Sequence, residues 1–271
     1  MVTIADKAAA FADLHRQGCF VLPNPWDVGS AKILASRGFK ALATTSAGHA
    51  FSMGRPDGAV GRKAALEHAR AIVAATDLPV SADLENLFGD APETCAETVR
   101  LAAATGLAGC SIEDATGRAG DPIYGFDAAV ARVKAAVAAA RGLGRPFTLT
   151  ARAENFLHGK ADLDDTVRRL AAFAALGADV LYAPALPDDA AIAAVVRAVA
   201  PKPVNVLVSR PGRTVAGVAA LGARRVSTGS AMALAAYGAL LRAADEIMGS
   251  GSFDFAADNA PYGAINGLMK G

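Results

Sequence analysis

The sequence predicts an α/β protein folded as a (β/α)8 barrel of the TIM type. Short apolar or β-branched segments recur along the chain, helical segments rich in alanine separate them, and this repeat occurs eight times. Strands that alternate with helices form βαβ units around a parallel sheet, whose buried strands read as nearly continuous apolar runs. A chain of 271 residues has the length of one such barrel. An open doubly wound sheet is the alternative, but no GxGxxG motif follows the first strand and no GxxxxGKS/T motif occurs.

The eight predicted strands are placed by their apolar and β-branched residues. In chain order they occupy residues 20–24, 41–46, 79–85, 109–114, 147–154, 179–184, 203–208 and 224–229. Between them, segments such as 64–75 and 128–141 repeat apolar residues at helical spacing among Arg, Lys and Glu. Glycines that follow a helix and precede a strand are typical helix ends, and they stand at Gly38, Gly106, Gly177 and Gly222.

The chain ends in a glycine-rich tail, residues 249–271, which follows the eighth predicted helix. Phe253, Phe255, Tyr262 and Ile265 make this tail apolar. No segment resembles a linker between domains, so we expect one domain over residues 1–271, with the tail acting as a cap or a subunit contact. A frayed terminus is the alternative.

Composition excludes several classes of partner. The chain has 27 Lys and Arg against 26 Asp and Glu, a net charge of +1, so no basic surface for nucleic acid is expected. Charged residues interrupt the N-terminal segment, so it resembles neither a signal peptide nor a membrane span. Three cysteines lie far apart and predict no disulfide or zinc site, which fits a reducing cytoplasm. A small molecule is therefore the expected partner.

Carboxylates mark the expected active site, because the site of such a barrel lies at the carboxyl ends of its strands. Predicted strands six and eight end without notable polar residues. Asp83 and Glu85 are two residues apart, so we expect them to share a face of strand three, and Glu113 ends the neighbouring strand. Converging carboxylates repel unless a cation neutralises them, and oxygen ligands favour Mg²⁺, with Mn²⁺ as an alternative. Helix capping or pairing with Arg and Lys is the other explanation.

Other candidates follow the neighbouring strands. Arg152 ends predicted strand five, where its guanidinium can bind a carboxylate or a phosphonate. A structural pairing of Arg152 with Glu113 or Glu154 is compatible with that role. After strand two, the run TTSAGH offers backbone amides in a loop suited to an anion. Asp57 is either a catalytic acid or base or part of an ordinary Pro-Asp-Gly turn, and Asn205 lies in the middle of strand seven.

With these residues in place, the chain resembles the isocitrate lyase/phosphoenolpyruvate mutase superfamily over nearly its whole length. Two acidic residues that flank one position after strand three look like Asp83–Glu85, and the acidic pair after strand four looks like Glu113–Asp114. The superfamily's strand-five arginine is similar to Arg152, and its loop aspartate to Asp57. Its substrate-holding loop after strand two matches Thr45–Ala47.

The resemblance implies a Mg²⁺-dependent enzyme that binds a 2-oxo or 2-hydroxy carboxylate and forms an enolpyruvate-like anion. Residue by residue, it implies that Mg²⁺ is held directly or through water by Asp83, Glu85 and Glu113. The implied catalytic residues are Asp57, Arg152 and Glu113, and the substrate contacts are Thr45, Ser46, Ala47 and Arg152, with Asn205 added from its place in strand seven. Superfamily members are dimers or tetramers that exchange a terminal helix, so we expect a homodimer or homotetramer.

Departures from the superfamily pattern leave the reaction open. The loop after strand four reads ATGRAGDPIYG and lacks both the Lys-Cys-Gly-His segment of lyases and the Lys-Thr-Asn segment of mutases. Arg118 and Asp121 in this loop are candidates for proton transfer, and Leu87 stands where glycine is common. We expect a lyase or decarboxylase of a small di- or tricarboxylate. Phosphonopyruvate mutase or hydrolase chemistry and a non-catalytic binding homologue are the alternatives.

Overall fold

The structure, a computed structural model, describes residues 2–270 and confirms the predicted (β/α)8 barrel. In chain order its strands are β1 (Phe20–Leu22), β2 (Leu42–Ala43), β3 (Val80–Ala82), β4 (Gly109–Glu113), β5 (Ala115–Arg118), β6 (Asp121–Ile123), β7 (Thr148–Arg152), β8 (Val180–Tyr182), β9 (Val204–Leu207) and β10 (Arg225–Ser227). Eight of these form a parallel sheet in the order β1-β10-β9-β8-β7-β4-β3-β2. The N–H of Ala43 donates to the carbonyl of Pro23 at 3.0 Å and joins the two ends of the sheet. The terminal residues 1 and 271 of the expected domain lie outside the described range.

Helices follow the strands and form the outer layer. They are α1 (Ile4–Leu14), α2 (Val28–Ala35), α3 (Ser46–Ser52), α4 (Arg62–Ala74), α5 (Pro92–Ala103), α6 (Phe126–Arg141), α7 (Leu163–Ala175), α8 (Asp189–Val199), α9 (Val215–Ala220), α10 (Ala231–Ser250) and α11 (Tyr262–Met269). Strands β5 and β6 pair antiparallel, forming a hairpin between β4 and α6. Within residues 2–270, no helix combines the length and the apolar character that a bilayer crossing requires.

Local chemistry fixes where the helices begin and end. Asp27 caps α2, because its carboxylate accepts the N–H of Ser30 at 2.6 Å, and Asp188 caps α8 in the same way. The glycines predicted to end helices have left-handed backbone, with φ of +81° at Gly38, +93° at Gly106 and +100° at Gly177. Residues other than glycine adopt this conformation at a steric cost, so the glycines terminate their helices as predicted.

Helix α1 closes the amino end of the barrel. Phe11 and Ala8 are fully buried against residues at the starts of the strands, among them Ala41 and Ala108. The ring of His15, at the end of α1, makes edge-on contacts with Phe11 and Phe20 at centroid distances of 4.9 and 5.0 Å. The floor of the barrel is therefore a small aromatic cluster, separate from the main core between sheet and helices.

The interior of the barrel is polar, whereas branched apolar residues usually fill this space. The buried polar side chains that face inward are those of Ser81, Ser111, Thr150, Asn205, Arg225 and Ser227, and Leu22 and Ala43 line the same cavity. Small hydroxyl side chains fill less of the interior than Val, Ile or Leu, and a cavity extends from the carboxyl ends of the strands into this layer.

The C-terminal tail is helical rather than frayed. After α10, residues Asp254–Asp258 form a 3₁₀ turn and α11 packs against α2, where the ammonium of Lys32 donates to the carbonyl of Met269 at 2.8 Å. Ala233 is the one residue of α10 that is fully buried within the described chain. Leu240 and Leu241 are each 65% exposed. The tail thus docks on the barrel, while α10 presents uncovered leucines.

The aromatic floor generates a stability prediction. Replacing Phe11 with Ala removes a ring of α1 that is fully buried against the strand starts, so we expect a loss of about 3–5 kcal/mol in the free energy of unfolding. The comparison variant is Leu101→Ala, because Leu101 is 39% exposed on α5 and its loss should stay within about 1 kcal/mol. Urea denaturation followed by circular dichroism measures both, and equal midpoints for the two variants would contradict the assigned floor.

Candidate active site

A cavity of about 250 Å³ opens at the carboxyl ends of the strands. Seven of the residues predicted from the sequence line it: Thr45, Ser46, Ala47, Asp57, Asp83, Arg152 and Asn205. Glu85 lines a small recess beside this cavity, and Glu113 lies behind Arg152. The structure therefore gathers the predicted residues at one end of the barrel, in two layers around Arg152.

Arg152 is bound by three carboxylates, and we call these four residues the Arg152 cluster. Its Nη1 lies 2.7 Å from Glu113 Oε1 and 3.0 Å from Asp83 Oδ1, and its Nε lies 2.7 Å from Glu154 Oε1. The sheet sets this geometry, because Arg152 ends β7 directly opposite Glu113 in β4. The guanidinium carbon also stands 4.8 Å from the ring centre of Tyr182. Arg152 is therefore paired with carboxylates, as in a structural role, and it also lines the cavity, as a substrate-binding role requires.

Burial and charge oppose each other within the Arg152 cluster. Burial disfavours the charge on Arg152, but the carboxylates of Glu113, Glu154 and Asp83 outweigh it and hold the pKa of the guanidinium well above its usual range. Burial raises the pKa of Glu113 and of Glu154, and Arg152 only partly offsets that rise. The cluster consequently has more carboxylates than cations and favours uptake of a proton or of a further cation.

Asp83 is the carboxylate that hydrogen bonds hold in place at the cavity wall. Its Oδ2 accepts hydrogen bonds from the hydroxyl of Ser46 at 2.9 Å and from the backbone N–H of Ser46 at 3.3 Å. Its Oδ1 accepts from the hydroxyl of Ser111 at 3.3 Å in addition to Arg152. The backbone N–H of Asp83 donates to Thr44 Oγ1 at 3.0 Å. Both carboxylate oxygens are therefore oriented before any ligand arrives.

Glu85 does not share a strand face with Asp83 as predicted, although both line the recess. Strand β3 ends at Ala82, and Glu85 has left-handed backbone with a φ of +49°, which turns its side chain into the recess. Its carboxylate has no hydrogen-bond or ion-pair partner among residues 2–270. Partial burial, followed by repulsion from Asp83 and Asp57, raises the pKa of Glu85 to about 7. His68, which stacks on His49 in the same recess, offers no charge because burial lowers its pKa to about 4.

Asp57 stands at the rim of the cavity on the loop between α3 and α4. Its carboxylate accepts the backbone N–H of Gly58 at 3.0 Å, as in an ordinary turn. Partial burial, with repulsion from Asp83 as the second cause, raises its pKa. The two readings of Asp57 are thus compatible, because a turn presents a carboxyl of raised pKa to the cavity.

The oxygen ligands of the site match a hard cation, but the protein does not supply a complete set. Within residues 2–270, no three His, Cys, Asp or Glu side chains converge closely enough to enclose a metal ion. Asp83 and Glu85 face the cavity and its recess, while Arg152 already neutralises Glu113. Mg²⁺ commonly binds one or two carboxylates and completes its shell with water and substrate oxygens. The arrangement fits that mode of binding.

The segment after β2 differs from the predicted loop. Ser46 begins helix α3, and the Thr45 hydroxyl accepts the N–H of Gly48 at 3.2 Å, so Thr45 caps the helix. Gly48 is required there, because a Cβ atom would lie 2.9 Å from the Cβ of Trp26. Thr45–Ala47 still line the cavity, yet the Ser46 amide and hydroxyl bind Asp83. The segment therefore orients Asp83 as well as facing a ligand.

Sequence reasoning missed two residues of the site. Tyr182 lies beneath the guanidinium, and Arg225 lines the cavity from β10, which was expected to end without polar residues. Glu154, named as a partner for Arg152, is fully buried against it. Asn205 lines the cavity too, but its side chain binds Ser227 and Arg225. A charged residue inside the β-branched run RRVS, on the same face as Ser227, was the available signal for Arg225.

The hairpin after β4 is pinned beside the cavity rather than lining it. Arg118 pairs with Asp90 at 3.1 Å and with Asp121 at 3.4 Å, and all three lie at exposed positions outside the cavity. The hydroxyl of Tyr124 donates to Asp90, which joins the hairpin to the loop after β3. The structure thus places Arg118 and Asp121, the proposed proton carriers, away from the cavity.

The loop after β3 has strained backbone at the position where glycine was expected. Leu87 and Phe88 both have φ of +61°, in the left-handed region that side chains disfavour. Leu87 is fully buried in the main core, so its side chain anchors the loop. Arg132 donates from its guanidinium to the carbonyls of Asn86, Gly89 and Asp90 and ties the same loop to α6.

Comparisons with known proteins agree with this geometry. The family model of phosphoenolpyruvate phosphomutase matches residues 11–248. A crystal structure of a candidate lyase/mutase from Burkholderia cenocepacia J2315 is 56% identical, covers 99% of this chain and 97% of that one, and superposes with a TM-score of 0.96. An oxaloacetate decarboxylase of Paraburkholderia xenovorans is 32% identical over 63% of this chain and 58% of its own length. A 2,3-dimethylmalate lyase of Eubacterium barkeri is 29% identical over 60% of this chain and 57% of its own length.

The raised pKa of Glu85 generates a prediction about pH and stability. The folded protein holds the Glu85 proton up to about pH 7, above the ordinary value of 4.5, so stability falls as pH rises across this interval. Glu85→Gln carries no charge, so we expect it to be more stable than the wild type at pH 8, by on the order of 1 kcal/mol after solvent screening, and closer to it at pH 5.

Urea denaturation in EDTA at the two pH values measures this difference. Glu67→Gln is the matched control, because Glu67 is an exposed glutamate on α4. A difference between wild type and Glu85→Gln that does not change with pH would show that Glu85 titrates as an ordinary carboxylate.

Proposed function

Because the chain belongs to the phosphoenolpyruvate phosphomutase family, we propose that it is a Mg²⁺-dependent lyase or decarboxylase of small 2-oxo or 2-hydroxy di- or tricarboxylates. The observation that carries the proposal is the Arg152 cluster, in which three carboxylates surround one guanidinium at the mouth of the barrel. Glu85 and Asp57 add two further carboxyl groups of raised pKa. Such an excess of carboxylates fits a cation and an anionic substrate that bind together.

Asp83 is the first candidate ligand for Mg²⁺, because hydrogen bonds orient both of its oxygens at the cavity wall. Glu85, which has no protein partner among residues 2–270, and Glu113 would act through water. When bound, Mg²⁺ acts as a Lewis acid for the oxyanion that develops on an enolpyruvate-like intermediate. Mn²⁺ has the same ligand preferences and is the alternative.

The side chains around the cavity would bind the substrate and transfer its proton. Arg152 presents its guanidinium to the cavity and would bind the substrate carboxylate, while Glu113 and Glu154 hold it in position. Asp57 lies at the cavity rim with a raised pKa, so it would exchange a proton with the substrate. The Thr45–Ala47 segment and Asn205 would complete the substrate contacts.

Two related proteins support the choice of carbon chemistry. The oxaloacetate decarboxylase and the 2,3-dimethylmalate lyase, by their names, act on dicarboxylates and cleave bonds to carbon. The hairpin after β4 carries no cysteine, so proton transfer in this chain needs another group, and Asp57 is the carboxyl group of raised pKa at the rim. Cleavage of a P–C bond in phosphonopyruvate is the alternative that the family model keeps open.

Product detection by NMR tests the proposal. The purified protein and Mg²⁺ are incubated separately with oxaloacetate, 2-methylisocitrate, 2,3-dimethylmalate and phosphonopyruvate. We expect turnover of a carbon acid, and a decrease in kcat of about 10²–10⁴-fold in Asp57→Asn. Asp77→Asn is the control, because the Asp77 side chain is 91% exposed at the amino end of the barrel and should turn over at the wild-type rate.

Each other outcome has a definite meaning. Turnover of phosphonopyruvate alone would replace carbon chemistry with P–C chemistry. Binding of these acids without turnover would identify a non-catalytic homologue. Equal rates for the wild type and Asp57→Asn would remove Asp57 from proton transfer.

The exposed leucines of α10 support a second part of the proposal, that the protein is a homodimer or homotetramer. Leu240 and Leu241 are each 65% exposed and Met248 is 85% exposed on one 20-residue helix. Such uncovered apolar surface is typical of a protein interface. Exchange of the C-terminal segment between subunits would cover it.

Light scattering after size exclusion tests the assembly. We expect a mass of two or four times 27.4 kDa for the wild type, and dissociation to the monomer when Leu240 and Leu241 are both replaced by Glu. Lys63→Glu, on an exposed position of α4, should leave the mass unchanged. A monomeric wild type would refute the assembly without affecting the proposed reaction.

A further inference from the structure

A buried arginine without a counter-ion lies at the bottom of the cavity. Arg225 is 4% exposed and lines the cavity from the first position of β10. Within residues 2–270, no carboxylate lies within ion-pair distance of its guanidinium. Buried charges in proteins are normally paired, because an unpaired ion loses its hydration without compensation.

Neutral groups hold the Arg225 guanidinium in one position. Its Nε donates to Asn205 Oδ1 at 2.8 Å, and one terminal nitrogen donates to Thr150 Oγ1 at 3.0 Å. The other terminal nitrogen lies 3.3 Å from His15 Nε2. An arginine has five N–H groups, so these three contacts leave two of them without a protein partner in the described chain.

His15 cannot supply a negative charge and serves as a neutral acceptor. Its Nδ1 lies 2.8 Å from the carbonyl of Phe11, so this nitrogen carries the proton and Nε2 accepts from Arg225. Burial, and then the charge of Arg225, lower the pKa of His15 to about 3. The floor of the barrel therefore contributes a positively charged end to the cavity.

The two arginines that line the cavity differ in how many carboxylates neutralise their charge. Arg152 faces three carboxylates, whereas Arg225 faces none. Burial lowers the pKa of Arg225 to about 9, so it remains charged at neutral pH. Along the cavity, negative charge is thus concentrated at the mouth and positive charge at the floor.

The separation between these two ends follows from the sheet. Thr150, which binds Arg225, stands two residues before Arg152 on β7, and the two residues face the same side. Two residues of a strand span about 6.6 Å. The side chains of Ser81, Ser111 and Ser227 around this layer are short, so the cavity stays open between the levels.

We propose that Arg225 binds the second carboxylate of a dicarboxylate substrate, whose first carboxylate and 2-oxygen lie at the level of Asp83 and Arg152. This inference rests on the proposed function and assigns the residue that binds the second carboxylate of its di- or tricarboxylate substrates. The two free N–H groups of Arg225 point to an acceptor with two oxygens. A monocarboxylate that lacks the second group gains nothing from Arg225.

A pair of 2-hydroxy acids tests the proposal, because malate and lactate differ only in the second carboxylate. Calorimetric titration in the presence of Mg²⁺ measures their affinities for the wild type, Arg225→Gln, Arg225→Lys and Arg224→Gln. We expect the wild type to prefer malate, and Arg225→Gln to lose about 10- to 100-fold in malate affinity with the affinity for lactate unchanged. Arg225→Lys keeps the charge and should lose less.

Arg224→Gln is the matched control, because Arg224 is the exposed neighbour of Arg225 and should behave as the wild type. Thermal unfolding of each variant confirms that it is folded. If Arg225→Gln does not fold, the malate and lactate affinities of Arg225→Lys provide the test instead. Unchanged malate affinity in Arg225→Gln, or an equal loss for malate and lactate, would overturn the proposal. If the wild type binds malate and lactate equally, the role of Arg225 is overturned but the proposed function is not. If the wild type binds neither acid, the proposed function is overturned as well.

Discussion

The charge of the Arg152 guanidinium is the constraint on which the mouth of the barrel depends. Asp83, Glu113 and Glu154 reach it from the ends of three different strands or from the turns that follow them. Without this cation the three carboxylates would be buried as uncompensated neighbours, and leaving one buried charge unpaired typically costs about 3–5 kcal/mol. The ends of β3, β4 and β7 are therefore held in register by one side chain, and the candidate metal ligand Asp83 takes its orientation from the same contact.

Much of the fold was predictable because its signals are local and repeat. Eight apolar runs and the glycines at helix ends depend only on nearby residues, and the barrel follows from their alternation. The cavity-lining residues Asp83 and Arg152 were predictable because the carboxyl ends of parallel strands converge, whereas Asp57 was singled out by its resemblance to the superfamily's loop aspartate. Less could be said of the partners that each side chain would choose, since those contacts join residues far apart in sequence.

The failures have physical causes in particular residues. Glu85 left the face of β3 because its backbone turned left-handed, which no strand periodicity anticipates. Thr45 used its hydroxyl to cap α3, so the expected loop of free amides became a helix start. Arg225 was missed because its local signal, a charge inside a β-branched run, does not by itself reveal a cavity.

Arg132 anchors two neighbouring loops at the rim of the barrel to the same helix. Its guanidinium binds three carbonyls of the loop after β3 and lies 4.1 Å from the ring centre of Tyr124 at the end of the hairpin. Tyr124 in turn donates to Asp90, so both loops are anchored to one helix, α6, and would move as a single body. Widening of the mouth beside β3 and β4 would then require both loops to move together, whereas the loops after β9 and β10 lie across the barrel from them.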